Sequence, residues 1–308
     1  MEIQKKVIEW LLNGDPSIRW QVYRDLLNSD EKKFNRERKK ISKEGWGSTL
    51  ISFQDETGTW AQSLYSRKWI STTYTLLLLQ SFGLEPKNIQ AQKASKILLD
   101  KGFYNDNGIN FALSWKRSET CVTGMILSLI CFFNLEDARI ERLLEYLLKE
   151  QMNDGGWNCQ SFKGATHGSF NTTIIVLEAL HEYEKRFPQE SQKMIKSQER
   201  GREFLLFHKL FRSHRTNKVA DPKFTRLSFP PRWHYDILRA LDYFRECKIS
   251  YDKRMNDAIE IIMKKQNKDG TWNLQQRYSG KTWFDMETVG QPSRWNTLRA
   301  LRILKFYG

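Results

Sequence analysis

The chain has 308 residues with 50 Lys or Arg against 36 Asp or Glu, a net charge of +14, and four cysteines that form no C-x-x-C pair. The cysteine spacing argues against a disulfide framework or a zinc finger, and the longest apolar runs, 76–79 and 125–133, fall short of the roughly 18 residues a membrane span needs. Much of the positive charge is lysine scattered through 32–43 and 185–218 with no recognisable nucleic-acid module beside it, so it reads as solvated helix faces, and nucleic acid is not the expected partner.

The N-terminal segment is amphipathic at Ile3, Val7, Trp10 and Leu11, carries acids and has no small-residue cleavage site; a cytoplasmic location is the expectation. Gly14-Asp15-Pro16-Ser17 then divides residues 2–28 into a helix, a turn with an Asp or Ser cap, and a second helix. Residues 1–44 are read as an N-terminal helical cap or partial repeat.

From there one pattern recurs, Gln-x-x-x-Gly-x-Trp, at Gln54 to Trp60, Gln151 to Trp157 and Gln266 to Trp272. Residues 138–152 carry Ile140, Leu143, Leu144, Leu147 and Leu148 as one stripe, which predicts a helix buried on one side. Segments 70–82, 120–133 and 170–183 are apolar nearly all round and predict enclosed helices, and 237–244 and 298–306 close later units. Setting Thr73, Thr123 and Thr173 in register gives a 50-residue period, followed by His234 and Asn296 at longer spacing. The fourth unit replaces its turn with a loop through Asp221, Pro222, Pro230 and Pro231, and the second has a degraded turn, Asp106-Asn107-Gly108-Ile109. Strand-like alternation is nearly absent, so the fold class is all-α, one domain over 1–308, with five helix-pair repeats in 45–308 and a sixth if the N-terminal helices complete the set. The recurring Gly supplies a positive φ at a helix end, Gln reaches unpaired backbone groups, and Trp covers the junction; these have a structural explanation without chemistry.

Gln151-Met152-Asn153-Asp154-Gly155-Gly156-Trp157 and Gln266-Asn267-Lys268-Asp269-Gly270-Thr271-Trp272 resemble the repeat motif of squalene and oxidosqualene cyclases, shared more loosely with protein prenyltransferase β subunits. The resemblance covers about 42–308 and implies an α/α toroid, with inner parallel helices around a central cavity and outer helices around them. Segments 118–124, 229–236 and 293–297 are similar to a branch of short squalene-cyclase-like proteins, which implies a fold rather than a reaction. Neither D-x-D-D nor D-D-x-x-D, the acid and metal motifs of terpene cyclases, occurs in the chain. Glu119-Thr120-Cys121 with His167 or His234 is similar, in distorted form, to the zinc residues of prenyltransferases. No cofactor is expected; zinc or magnesium is the metal such residues would take.

If the inner helices run parallel, their amino ends open on one mouth and favour an anion. Arg67-Lys68, Lys116-Arg117, Lys163, Arg232 and Arg294 precede those helix starts. Arg suits bidentate contact with phosphate or carboxylate, although each could instead pair with an acid of a neighbouring repeat. Trp69, Trp233, Trp295 and Trp283 lie beside these charges as walls for an apolar ligand, with Cys121, His167 and Glu287 on the same rim. Glu119, His234 and Asp236 are the candidates for proton transfer. The leading expectation is therefore a terpenoid cyclase or prenyltransferase-like protein binding an anionic, isoprenoid-like small molecule. A carbohydrate-active hydrolase or lyase using Glu119 and Asp236, and a non-catalytic binding or scaffold ring, are the alternatives.

Overall fold

In the computed structural model, which describes residues 3–112 and 114–308, the apolar stretches form thirteen α-helices among the described residues, with isolated bridge pairs and no strand. The chain is all-α, the class its sequence predicts. In order the helices are α1 Lys5–Leu12, α2 Pro16–Gln21 running into a π-helical turn at Val22–Leu26, α3 Glu31–Arg38, α4 Gly45–Ser52, α5 Thr72–Phe82, α6 Ile89–Gly102, α7 Thr120–Phe132, α8 Arg139–Lys149, α9 Phe170–Arg186, α10 Ile195–Phe207, α11 Ile237–Glu246, α12 Asn256–Lys264 and α13 Arg294–Tyr307. Contacts group them into two compact units, residues 3–53, 81–85 and 208–308 in one and 54–80 and 86–207 in the other.

In the first unit the turn at Gly14 is closed by Asp15, which accepts from the Ser17 N–H at 2.8 Å and caps α2, with Pro16 at the first helical position. The same carboxylate accepts from the Trp46 N–H at 2.8 Å and so ties α2 to the start of α4. Helices α11 and α13 bring a buried charge network together. Asp242 on α11 accepts from Arg302 on α13 and from Arg245 at 3.1 Å, and faces Arg299 at 3.4 Å. Arg302 also meets Asp25 of the π-helical turn at 3.1 Å. Burial alone would raise the Asp242 carboxyl, but Arg302, Arg245 and Arg299 outweigh it and hold the group well below the usual carboxylate range.

In the second unit α7 and α9 are buried nearly all round, as their composition requires. They approach closely at Gly124, where a Cβ would lie 3.1 Å from the Ile175 side chain. Helix α8 buries only its Ile140, Leu143, Leu144, Tyr146 and Leu147 face. Gln80 on α5 donates to the Ser128 hydroxyl on α7 at 2.9 Å.

One turn recurs in both units, and its hydrogen bonds explain its sequence. Gln54, Gln151 and Gln266 each donate from Nε2 to the carbonyl of Gly58, Gly155 and Gly270, at 2.9, 2.8 and 3.3 Å. Those glycines have φ between 85° and 89°, the left-handed region that favours Gly. Trp60, Trp157 and Trp272 follow, fully buried. Each of their backbone N–H groups donates to a threonine in the first turn of the next helix, Thr72, Thr173 and Thr297, at 2.9–3.0 Å. In the 103–109 turn, Ile109 donates to Thr123 at 2.9 Å in the same way. The equivalent threonines are therefore Thr72, Thr123, Thr173 and Thr297, one residue away from the sequence register at Thr73 and at Asn296. Hydroxyl-to-turn geometry sets this register, and residue spacing alone does not carry it.

The turn that looks degraded in sequence is not degraded in structure. Asn107 takes the glycine's place at φ 69°, and the bonds Tyr104 N–H to Gly108 and Asn107 N–H to Tyr104 reproduce Met152 N–H to Gly156 and Gly155 N–H to Met152. Asn tolerates this conformation because its short amide bonds locally.

Candidate functional site

The residues predicted from sequence fall into two groups, one in each unit. In the second unit, Glu119 is the residue before α7, and its side chain makes no cap bond to the helix. Burial pushes its carboxyl above the ordinary glutamate value, while the charges of Lys68 and Lys163 pull the other way and only partly offset it. Two residues on, the Cys121 N–H donates to Cys159 Sγ at 2.9 Å, and the Cys159 N–H donates to the Thr172 hydroxyl at 3.3 Å. Hydrogen bonded to Cys159 and buried, the Cys121 thiol is pushed up. The first turns of α7 and α9 are thereby joined through Cys159.

An aromatic wall completes this group. Tyr65 and Tyr74 stack at 5.4 Å with their hydroxyls 3.2 Å apart, Trp69 packs edge-on to Tyr74 at 4.8 Å, and Phe111 lies 6.1 Å from Tyr65. Burial, with Tyr74, Cys121 and Glu119 nearby, keeps the Tyr65 phenol neutral far beyond its ordinary range. Lys163 lies over the Trp115 ring at 4.5 Å and over Phe162 at 5.4 Å. Arg117, over Phe162 at 4.7 Å, pairs with Glu150 at 3.2 Å, the acid pairing that the sequence left open as an alternative. Arg67 is exposed and donates to the Ala61 carbonyl at 3.2 Å; His167 is exposed on the loop before α9, where its carbonyl accepts from Asn158 at 2.8 Å.

In the first unit, the His234 ring is held between Trp233 and Tyr278, with centroids 3.7 and 3.6 Å away. Asp236 is fully buried; it caps α11 by accepting from the Arg239 N–H at 2.7 Å and also accepts from the Ser228 hydroxyl at 2.6 Å. The Arg239 guanidinium donates to the carbonyls of Arg232 and His234 at 3.1 and 2.8 Å, which fixes the 232–236 turn. Tyr278 is pushed up to about 12 by burial and by Asp236.

Glu287 accepts from the Ser293 hydroxyl at 2.5 Å and from the Arg294 and Trp295 N–H groups at 2.7 and 3.3 Å, so it closes the amino end of α13. Burial nonetheless leaves its carboxyl above the ordinary value. Arg294 lies over the Trp10 ring at 4.6 Å and donates to the Trp10 carbonyl at 3.1 Å. Trp295 stacks on Phe229 at 4.0 Å with its buried Nε1 unpartnered, and Trp283 stacks on Phe53 at 4.9 Å.

Sequence reasoning missed Tyr65, Tyr74 and Phe111. Tyr74 lies inside an apolar helix where periodicity marks packing only, and Tyr65 and Phe111 are in irregular segments that carry no pattern. Among the described residues, no group of three or more His, Cys, Asp and Glu side chains could hold a metal ion. No helix among them is long and apolar enough to cross a membrane.

No family model and no curated protein matches the chain. Solved structures that it resembles include a protein from Actinoplanes, 14% identical over 95% of this chain and 90% of that one, with a TM-score of 0.48. They also include the type II terpene cyclase MstE from Scytonema, 17% identical over 94% of this chain and 88% of that one, again with a TM-score of 0.48. A variant of the same cyclase, solved in complex with its substrate geranylgeranyl dihydroxybenzoate, is 17% identical over 94% and 86% with the same score.

Proposed function

We propose that the protein binds a small molecule joining an anionic head to an apolar, isoprenoid-type body, in the manner of the terpenoid cyclases and prenyltransferases its repeats resemble. The observation that carries this reading is the group around Glu119. A half-buried carboxyl with a raised pKa stands beside two lysines, next to a wall of Tyr65, Trp69, Tyr74 and Phe111. Lys68 and Lys163 would hold the anionic head, and the first turns of α7 and α9 add their partial positive charge. The rings would take the apolar body and could stabilise positive charge developing on it by roughly 0.5–2 kcal/mol each. If the ligand is turned over, Glu119 is the group that moves a proton, because burial keeps that proton closer to neutral pH than on a solvated glutamate. Asp236, bound by Ser228 and Arg239, holds its turn instead.

A thermal-shift series with farnesyl diphosphate, pyrophosphate and farnesol tests this. Saturating farnesyl diphosphate should raise Tm by roughly 5 °C, pyrophosphate less and farnesol least, and Lys68→Ala/Lys163→Ala should remove most of the response. The reading is lost if no diphosphate stabilises the protein, or if the double variant responds as the parent does.

A further inference from the structure

The first unit carries a surface recess of about 360 Å³ whose chemistry is unrelated to the turns and caps described above. Two cations line it, Arg226 and Lys265, together with the polar Asn273 and Gln275 and the apolar Leu274 and Val289; no carboxylate does. Neither cation forms an ion pair among the described residues.

Lys265 is half-buried, and its ammonium donates to Gln275 Oε1 at 2.8 Å. That oxygen also accepts from the Leu227 N–H at 3.1 Å, and the Gln275 N–H donates back to the Leu227 carbonyl at 3.0 Å. The amide oxygen is thus fully engaged, while Nε2 of the same side chain has no protein acceptor among the described residues. Burial lowers the Lys265 pKa, and Arg226 lowers it further, so the two charges are close enough to repel. The loop opposite is pinned by the Gly290 N–H, which donates to the Leu274 carbonyl at 2.7 Å.

Two like charges gathered at a recess, with a spare amide donor and no acid, are unfavourable until an anion joins them. We infer that this recess is a binding site for a phosphate monoester, with Arg226 and Lys265 on the phosphoryl oxygens and the ester's apolar substituent against the exposed Val289. A guanidinium matches two phosphoryl oxygens at once, and an ammonium adds a point charge. The site shares no residue with the Glu119 group, so either stands or fails without the other.

Protection of Lys265 from acetic anhydride, read by peptide mass spectrometry on the full chain, tests the inference. Phenyl phosphate should protect Lys265 at roughly tenfold lower concentration than inorganic phosphate, about 1.4 kcal/mol, because only the ester uses Val289. Arg226→Ala, a change at an exposed residue, should raise both midpoints about tenfold with the circular dichroism spectrum unchanged. Acetate protecting as well as phosphate, sodium chloride at matched ionic strength doing the same, or unchanged midpoints in Arg226→Ala would each overturn the assignment. Loss of the anhydride's preference for Lys265 when phosphate is bound, with other half-buried lysines unaffected, supports it.

Discussion

The backbone N–H of Trp157 donates to the hydroxyl of Thr173 at 3.0 Å, and the Trp272 N–H finds Thr297 at 2.9 Å in the other unit. A buried amide at the end of a turn must have an acceptor, and the threonine supplies it while starting the next helix. Thr173→Val, close in shape and without the acceptor, should cost about 1–3 kcal/mol in urea unfolding. Thr173→Ser keeps the oxygen and should cost clearly less. Equal losses for the two would mean that the methyl group, and not the bond, matters there.

Asn107 adopts φ 69° in the turn where three other copies use glycine. Asn107→Gly should leave stability within about 0.5 kcal/mol of the parent, and Asn107→Val should lower it by about 1–2 kcal/mol because a β-branched residue resists the left-handed region. Thermal unfolding of the two variants decides it. A tolerated valine would show that the turn relaxes rather than holding this φ.

These two positions mark what the sequence makes legible. Gly58, Gly155 and Gly270 announce the turn because few residues accept their φ, and the all-round apolar composition of α5, α7 and α9 announces enclosure. The destinations of the cations are not legible. Arg117 and Arg294 lie at or just before helix starts, yet one pairs with Glu150 and the other with the Trp10 ring and carbonyl, 284 residues away in sequence. Long flexible side chains take whatever acceptor the tertiary structure brings within reach, and residue spacing does not encode that. The Cys121–Cys159 contact is hidden for the same reason, since nothing in either local pattern refers to the other.

Asp242 faces three arginines in a buried setting, so removing its charge leaves Arg245, Arg299 and Arg302 mutually repelling. Asp242→Asn should cost about 3–5 kcal/mol, and pairing it with Arg302→Met should recover part of that. The folded-state pKa values of Asp242 and Asp25 lie below their unfolded values. Their contribution is therefore present above the unfolded value near 3.9 and is lost as pH falls below it through the folded values. Urea midpoints measured from neutral to acid pH should drop steeply in the parent and less in Asp242→Asn. Parallel curves would assign the acid sensitivity to other carboxylates.

Glu119 has the opposite sign. Burial raises its folded pKa over the opposing fields of Lys68 and Lys163, so between the unfolded glutamate value and the folded one the native state holds the extra proton. Stability must fall as pH rises through that window, and Glu119→Gln should remove this slope and gain most above it. Binding is linked to the same proton. An anion seated on Lys68 and Lys163 cancels the fields that pull Glu119 down, so its carboxyl rises further and the complex takes up a fraction of a proton. Calorimetry of farnesyl diphosphate binding at acid pH, in two buffers of different ionisation enthalpy, reads that uptake directly, above the range in which an ordinary glutamate titrates. The parent should show it, and Glu119→Gln should bind within about fivefold, roughly 1 kcal/mol, without it. Equal uptake in the two proteins would trace the proton to the ligand's own phosphate and separate Glu119 from the bound head.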